Sequence, residues 1–155
     1  MTIWEIVPAL PEHIDAVAAD MRAEDRREVW ASHRHTPAEA LQRSLGRSEL
    51  AWTCLVHGVP AFMWGVARKG SLVSRVGLPW LLGTERIYDV RREFLRQSRA
   101  YVDLMQERFP RLENYVHAGN RLSIRWLKWC GFVLDDIPEL INDEDFFLFW
   151  RDANV

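Results

Sequence analysis

The segment between residues 72 and 117 constrains the fold most, because it places a long amphipathic helix between two strand-like runs. Residues 72–82, "LVSRVGLPWLL", and residues 112–117, "LENYVH", are typical of strands. Between them, residues 89–108 carry apolar side chains at helical spacing and charged side chains elsewhere. A strand, a crossover helix and a second strand form a right-handed unit with parallel strands. The sequence therefore predicts one parallel strand pair.

Pro79 interrupts the first of these strands. Because proline has no backbone N–H to donate to a sheet, we expect it where neighbouring strands separate. In sheets of this kind, ligands bind outside the carboxyl ends of the parallel strands. The sequence therefore predicts a candidate site at residues 81–88 and 117–120.

The segments before residue 72 predict a strand, three helices and an antiparallel strand pair. Residues 2–9 alternate like a strand, and the third helix begins at a Thr36 cap and ends at Gly46. His57 and Gly58 are typical of a tight hairpin turn. After residue 117 the sequence predicts a helix ended by Gly131, a strand, an acidic loop at 135–145 and a last strand. The predicted order is βαααβββαβαββ in one domain, residues 1–155.

Composition and charge exclude several classes of protein. The net charge of −2 and the isoelectric point near 6.2 give no indication of nucleic-acid or membrane binding. No basic leader or long apolar run is present, so we expect a cytoplasmic protein. Cys54 and Cys130 are predicted to be reduced core thiols. His33 and His35 lack a third ligand at a recognised spacing, so no metal site is assigned.

Two stretches carry a resemblance to known families. The order of elements, the proline in the fourth strand and "NRLSIRWLKWCGF", with its Asn120 and its Gly-Phe ending, resemble the GNAT N-acetyltransferase fold. "GLPWLLGT", followed by the arginine-rich helix and the same motif, is similar to tailed-phage proteins related to the short internal virion protein A. The resemblance implies an α/β fold with a mixed, mostly antiparallel sheet, a central parallel βαβ pair and helices on both faces.

The resemblance also implies a binding site for acetyl-CoA. In GNAT enzymes a glycine-rich loop before the long helix holds the pyrophosphate on backbone N–H groups. The corresponding segment here, "LLGTERIYDVRR", keeps only one glycine, so its phosphate loop is degraded. The predicted cofactor-binding residues are Leu81, Leu82, Gly83, Thr84, Arg91, Arg92 and Asn120. Arg91 and Arg92 either compensate by binding phosphate or belong to a solvated helix face.

Acetyl transfer to an amine needs a base, and a general acid assists departure of the thiolate. The tyrosine that often serves as this acid in the resembling motif is replaced by Leu127. His117 is the best candidate base from its place at a strand end, with an exposed histidine as the alternative. Asp25 and Glu28 are candidates because their helix forms one wall of the acceptor site in the resembling fold. The alternative for both is a solvated helix face.

Two functions therefore follow from the sequence. The first is a phage or prophage N-acetyltransferase that uses acyl-CoA and a small-molecule or protein amine. The second is a non-catalytic protein of virion assembly that contacts phage structural proteins on a GNAT scaffold. The first predicts a location in the cytoplasm of the infected host cell, and the second a location in the virion.

Overall fold

The computed structural model describes residues 2–153, which form one eight-stranded sheet with helices on both faces. The strands are β1 (Trp4–Pro8), β2 (Ser48–Val56), β3 (Val59–Arg68), β4 (Val76–Gly83), β5 (Arg111–His117), β6 (Val133–Leu134), β7 (Glu139–Ile141) and β8 (Glu144–Asp152). The helices are α1 (Ile14–Ala19), α2 (Ala23–His33), α3 (Pro37–Arg47), α4 (Arg91–Arg108) and α5 (Arg121–Trp129).

The sheet order is β1-β2-β3-β4-β5-β8-β6, and β7 pairs with β8. Every pair is antiparallel except β4 with β5, which are parallel and joined through α4. The predicted mixed sheet with a central parallel βαβ pair is therefore confirmed. The hairpin predicted at His57 and Gly58 is also confirmed, since both residues have the positive φ of a two-residue turn.

Apolar side chains pack on each face of the sheet and fix where the helices lie. On one face, α4 and α5 contribute Phe94 and Trp126 to a core that includes the fully buried Trp64. On the other face, α1, α2 and α3 contact Met63 and Leu82, with Leu41 at the centre. Because helices pack against both faces of the sheet, the two helical layers position side chains on both sides of the gap described below.

Three predicted boundaries were wrong. Gly46 lies inside α3, because Ser48 ends the helix by donating its backbone N–H to Leu45 and its hydroxyl to Ser44. Strand β4 begins at Val76 rather than residue 72, because residues 71–75 form the turn after β3. A 3₁₀ turn, Glu85–Asp89, precedes α4, so the long helix begins at Arg91.

The acidic loop predicted at residues 135–145 contains a short strand instead. Strand β7 lies within it and pairs with β8 through a hairpin turn at Asn142 and Asp143. Both turn residues have positive φ, which asparagine and aspartate tolerate better than most residues. This hairpin brings Glu144 to the carboxyl end of β5.

Candidate functional site

The two parallel strands separate after a short contact. Strands β4 and β5 pair only at Val76 with Arg111 and at Gly77 with Leu112. At the next position on the β5 side of β4, Pro79 offers no N–H, and its carbonyl accepts a hydrogen bond from Asn114 Nδ2 at 3.0 Å. Beyond this contact the strands do not pair, so a gap opens toward their carboxyl ends, as the sequence predicted.

The backbone of Leu81 faces this gap. Thr84 N–H donates to the Ala61 carbonyl at 2.8 Å, and antiparallel pairs alternate between bonded and unbonded positions. Pro79, Leu81 and Gly83 therefore direct their backbone polar groups away from β3. The Pro79 carbonyl and the backbone groups of Gly83 form hydrogen bonds with other residues. Among residues 2–153, none forms a hydrogen bond with the backbone N–H or C=O of Leu81. An extended ligand with amide groups can pair there.

A cavity of about 370 Å³ occupies the gap and passes through the sheet. One side is lined by Glu28, Ser32 and His33 of α2, and the other by Ser123 and Leu127 of α5. Its walls are formed by the separated strands, with residues 79–82 on β4 and 114–116 on β5. The cavity is therefore lined by side chains from helices on both faces of the sheet.

A chain of hydrogen bonds crosses the wide end of the gap, and we call it the polar bridge: Gly83, Asp25, Asn120 and Glu28. Gly83 N–H donates to Asp25 Oδ2 at 3.0 Å. Asn120 Nδ2 donates to Asp25 Oδ1 at 3.0 Å and to Glu28 Oε2 at 2.7 Å. Asp25 and Asn120 are each 1% exposed. The structure thus brings together four of the residues predicted from sequence, which come from α2, the end of β4 and the start of α5.

Burial favours the protonated form of both carboxyl groups, Asp25 and Glu28. Burial raises the pKa of Asp25, although Arg22, Asn120 and Gly83 oppose the shift. Burial and then the negative charge of Asp25 raise the pKa of Glu28 to about 8, against the hydrogen bond from Asn120. Asp25 also pairs with the buried Arg22 at 3.1 Å. The solvated helix face considered for Asp25 and Glu28 is therefore wrong, because Asp25 is buried and Glu28 lines the cavity.

His117 is buried beside the polar bridge and does not point into open solvent. Its Nδ1 accepts a hydrogen bond from Gly119 N–H at 2.9 Å, and its Nε2 lies 2.7 Å from Glu144 Oε1. The neutral ring therefore carries its proton on Nε2 and donates it to Glu144. Arg27 also donates to Glu144, at 2.9 Å. His117 thus positions neighbouring chain segments, and the exposed histidine considered from sequence is wrong.

The remaining predicted cofactor residues divide into two groups. The Leu82 side chain packs in the core under α1 to α3, and Thr84 donates both its N–H and its hydroxyl to the Ala61 carbonyl. Arg91 and Arg92 are exposed at the start of α4, where the cap residue Val90 supplies no side-chain hydrogen bond. The backbone N–H and hydroxyl of Thr84 are therefore occupied by hydrogen bonds within the fold. The exposed side chains of Arg91 and Arg92 can contact solvent or an anion.

Ser123 was missed as a site residue. It is buried and lines the cavity. Its spacing of three and four residues from Trp126 and Leu127 is the signal that places all three on one face. Leu127, at the position of the missing tyrosine, also lines the cavity.

Solved structures of GNAT acetyltransferases resemble this chain over nearly its whole length. The GNAT domain of PAT from S. lividans has a TM-score of 0.69 and 12% identity, over 96% of this chain and 89% of that one. Ard1 from Thermoplasma volcanium has a TM-score of 0.65 and 20% identity, over 98% and 99%. The ribosomal-protein-S5-alanine acetyltransferase from Vibrio fischeri has a TM-score of 0.64 and 16% identity, over 96% and 92%. At these identities the likeness shows the fold, which is GNAT-like.

Sequence comparison adds one partial match. The family described as "Bacteriophage T7, probable scaffold protein Gp13" matches residues 73–137, less than half of the chain. No curated protein matches the sequence. Within residues 2–153, no cluster of three or more histidine, cysteine or acidic side chains is arranged to hold a metal ion. In the same part of the chain, no helix has the length and apolar character needed to cross a membrane.

Proposed function

We propose that the chain is an N-acyltransferase that takes its acyl group from acetyl-CoA and passes it to an amine in the cavity between β4 and β5. The observation that carries the proposal is the unpaired backbone of Leu81, which faces the same cavity as the Glu28 carboxyl. An edge of free backbone groups beside a carboxyl of raised pKa is suited to binding an amide-containing arm and accepting a proton from an amine.

The residues of the gap fit an acyl-CoA. Leu81 is suited to pair with the amides of the pantetheine arm, since its N–H and C=O both face the gap. Ser123 and Leu127 line the opening on the α5 side, and Arg91 and Arg92 stand at the start of α4 as candidates for the phosphates. Gly83 is less suited, because Asp25 already accepts its N–H. When bound, acetyl-CoA supplies an activated thioester carbonyl.

Glu28 is the proposed base. An amine attacks only after it has lost its proton, and a carboxyl with a pKa of about 8 becomes able to accept that proton as the pH rises toward 8. Asn120 positions Glu28 through its hydrogen bond to Oε2, and Asp25 sustains the raised pKa through its charge. The thiolate leaves without a tyrosine to protonate it, as Leu127 implies. His117 positions Glu144 and the loop at Gly119 rather than serving as the base.

A second function has support of its own. The match to the phage scaffold family favours a non-catalytic protein of virion assembly, and two features of the loop agree with it. The 3₁₀ turn Glu85–Asp89 places side chains where a glycine-rich loop would bind pyrophosphate, and the polar bridge occupies the wide end of the gap. This function predicts the protein in purified virions released by a host strain that carries its gene.

Thiol release from acetyl-CoA, measured with a panel of primary amines between pH 6 and 10, tests the proposed activity. We expect amine-dependent release whose kcat/KM rises with pH and levels off above about pH 8, following the ionisation of Glu28. Glu28→Gln should lower kcat/KM by about a hundredfold and remove the rise. Absence of release with every amine, together with recovery of the protein in virions, would favour the assembly function.

A further inference from the structure

A second hollow, of about 200 Å³, adjoins the acyl-transfer cavity on the side of α2 and α3. The two volumes share the lining residues Val29, His33, Ser44, Trp80 and Asn114. The second hollow therefore continues the cavity that Glu28 lines. The chemistry of its walls bears directly on which acceptors enter.

The walls of this hollow carry positive charge, and the described residues that line them include no acidic side chain. Arg43 and Arg47 lie one turn apart on α3 and both line it. Neither arginine forms an ion pair with residues 2–153, and none of the described residues lining the hollow is acidic. The nearest acid, Glu39, lies one turn before Arg43, and its carboxyl oxygen accepts a hydrogen bond from Thr36 N–H at 3.3 Å.

Two histidines complete the cluster. The rings of His33 and His35 stack with their centroids 5.5 Å apart, and both line the hollow. The pKa of His33 is lowered by burial and then by the positive charges of His35, Arg47 and Arg43. Positive groups this close together repel one another, and an anion placed between them stabilises them.

We propose that the amine acceptor also carries an anionic group, a carboxylate or a phosphate, which Arg43, Arg47 and His33 bind while the amine lies at Glu28. The proposal rests on the proposed acyl transfer and names the substrate class of that site. His33 follows Glu28 by five residues on α2, which is about 7.5 Å along the helix axis at 1.5 Å per residue. A linker of roughly four to six carbon atoms therefore separates the two groups of the acceptor.

Matched amines test the proposal through the reaction. The acceptors are 5-aminopentanoate, 6-aminohexanoate and 7-aminoheptanoate, each compared with the compound in which a carboxamide replaces the carboxylate. We expect kcat/KM for at least one carboxylate to exceed that for its amide about tenfold, and Arg43→Gln/Arg47→Gln to remove the preference. The control variant Arg75→Gln/Arg96→Gln removes the same net charge from exposed positions elsewhere. It should still prefer the carboxylate to the amide. Equal kcat/KM for carboxylates and amides in the wild type contradicts the proposal.

Phosphate binding tests the anion site without the reaction. Inorganic phosphate should shift the imidazole proton resonances of His33 and His35 saturably and raise the pKa of His33, and Arg43→Gln/Arg47→Gln should abolish both effects. If phosphate binds but no amine is acetylated and acetyl-CoA does not bind, the proposed function fails and the anion site remains. If phosphate leaves both histidines unchanged, the two arginines are only a solvated helix face and the proposal fails.

Discussion

The side-chain amide of Asn120 donates a hydrogen bond to the Glu28 carboxyl across 2.7 Å, joining the start of α5 to the middle of α2. The same nitrogen also donates to Asp25, so one neutral donor serves two acidic groups. Two ionised carboxylates so close to one donor repel each other, and the pair therefore retains a proton. The charge of the candidate site, and with it its stability and activity, consequently depends on pH.

Replacing Glu28 with glutamine should change how stability depends on pH. The pKa of Glu28 is about 8 in the folded chain against an ordinary value of 4.5, so the folded chain retains a proton that the unfolded chain loses between these values. The free energy of unfolding should therefore fall, by up to roughly 1.4 kcal/mol per pH unit, as the pH rises through this window. The glutamine of Glu28→Gln has no carboxyl proton to lose, so the free energy of unfolding of this variant should fall less than that of the wild type as the pH rises. Urea denaturation at pH 5, 6, 7, 8 and 9 measures both slopes.

The difference between the two proteins is the informative quantity, because other groups titrate in both. Relative to the wild type, the free energy of unfolding of Glu28→Gln should increase steadily as the pH rises to about 8. Above that pH the difference between the two proteins should change little. Parallel curves for the two proteins would mean that Glu28 ionises at its ordinary pKa and that the account of the carboxyl pair is wrong.

Removal of Asp25 should destabilise the fold strongly at neutral pH. Its carboxylate accepts hydrogen bonds from Gly83 N–H and Asn120 and pairs with Arg22, which is itself 3% exposed. Asp25→Ala leaves these buried donors without an acceptor and should cost about 3 kcal/mol, measured by urea denaturation at pH 7. Glu24→Ala is the matched control, since Glu24 is an exposed partner of Arg22 and should cost less than about 1 kcal/mol. Equal losses in the two variants would contradict the buried role of Asp25.

His117 and Glu28 should differ in their effect on catalysis. His117 accepts a hydrogen bond from Gly119 N–H and donates to Glu144, so His117→Gln disturbs the loop but leaves the base in place. We expect His117→Gln to lower kcat/KM less than tenfold and to preserve the rise with pH, whereas Glu28→Gln abolishes the rise. A pH profile that is lost in His117→Gln and kept in Glu28→Gln would assign the base to His117 instead.

The central strands could be predicted from sequence because local patterns specify them. The βαβ unit can be predicted because its strands and its helix have different spacings of apolar residues. The separation of the strands can be predicted from Pro79, because proline cannot donate a backbone hydrogen bond to a neighbouring strand. The hairpin at His57 and Gly58 follows from turn chemistry. The strand β7 could not be found in this way, because three residues in an acidic segment form a strand only through pairing with β8.

The site was predicted in part, for a comparable reason. Asp25, Glu28 and Asn120 were selected singly, from the places that their elements occupy in the resembling fold. Their hydrogen bonds join residues more than ninety positions apart, which no local pattern records. The hydrogen bond of His117 to Glu144 could not be predicted either, because the unpredicted β7–β8 hairpin brings Glu144 to the end of β5.

The proposed role of Leu81 can be tested by removing its backbone N–H. Leu81→Pro removes the N–H that faces the gap, and it breaks no hydrogen bond to β3 because Leu81 lies at an unbonded position of that pair. Leu81→Ala is the matched control, since it keeps the N–H and shortens the side chain. Gly83 is unsuited to this purpose, because a Cβ there would overlap Phe62.

Calorimetric titration of acetyl-CoA into the wild type, Leu81→Ala and Leu81→Pro tests the central claim most directly, with circular dichroism to confirm that each protein is folded. We predict saturable binding to the wild type and to Leu81→Ala, and at least a tenfold loss of affinity in folded Leu81→Pro. No binding to the wild type at millimolar acetyl-CoA, or equal binding to all three proteins, would contradict a cofactor site between β4 and β5.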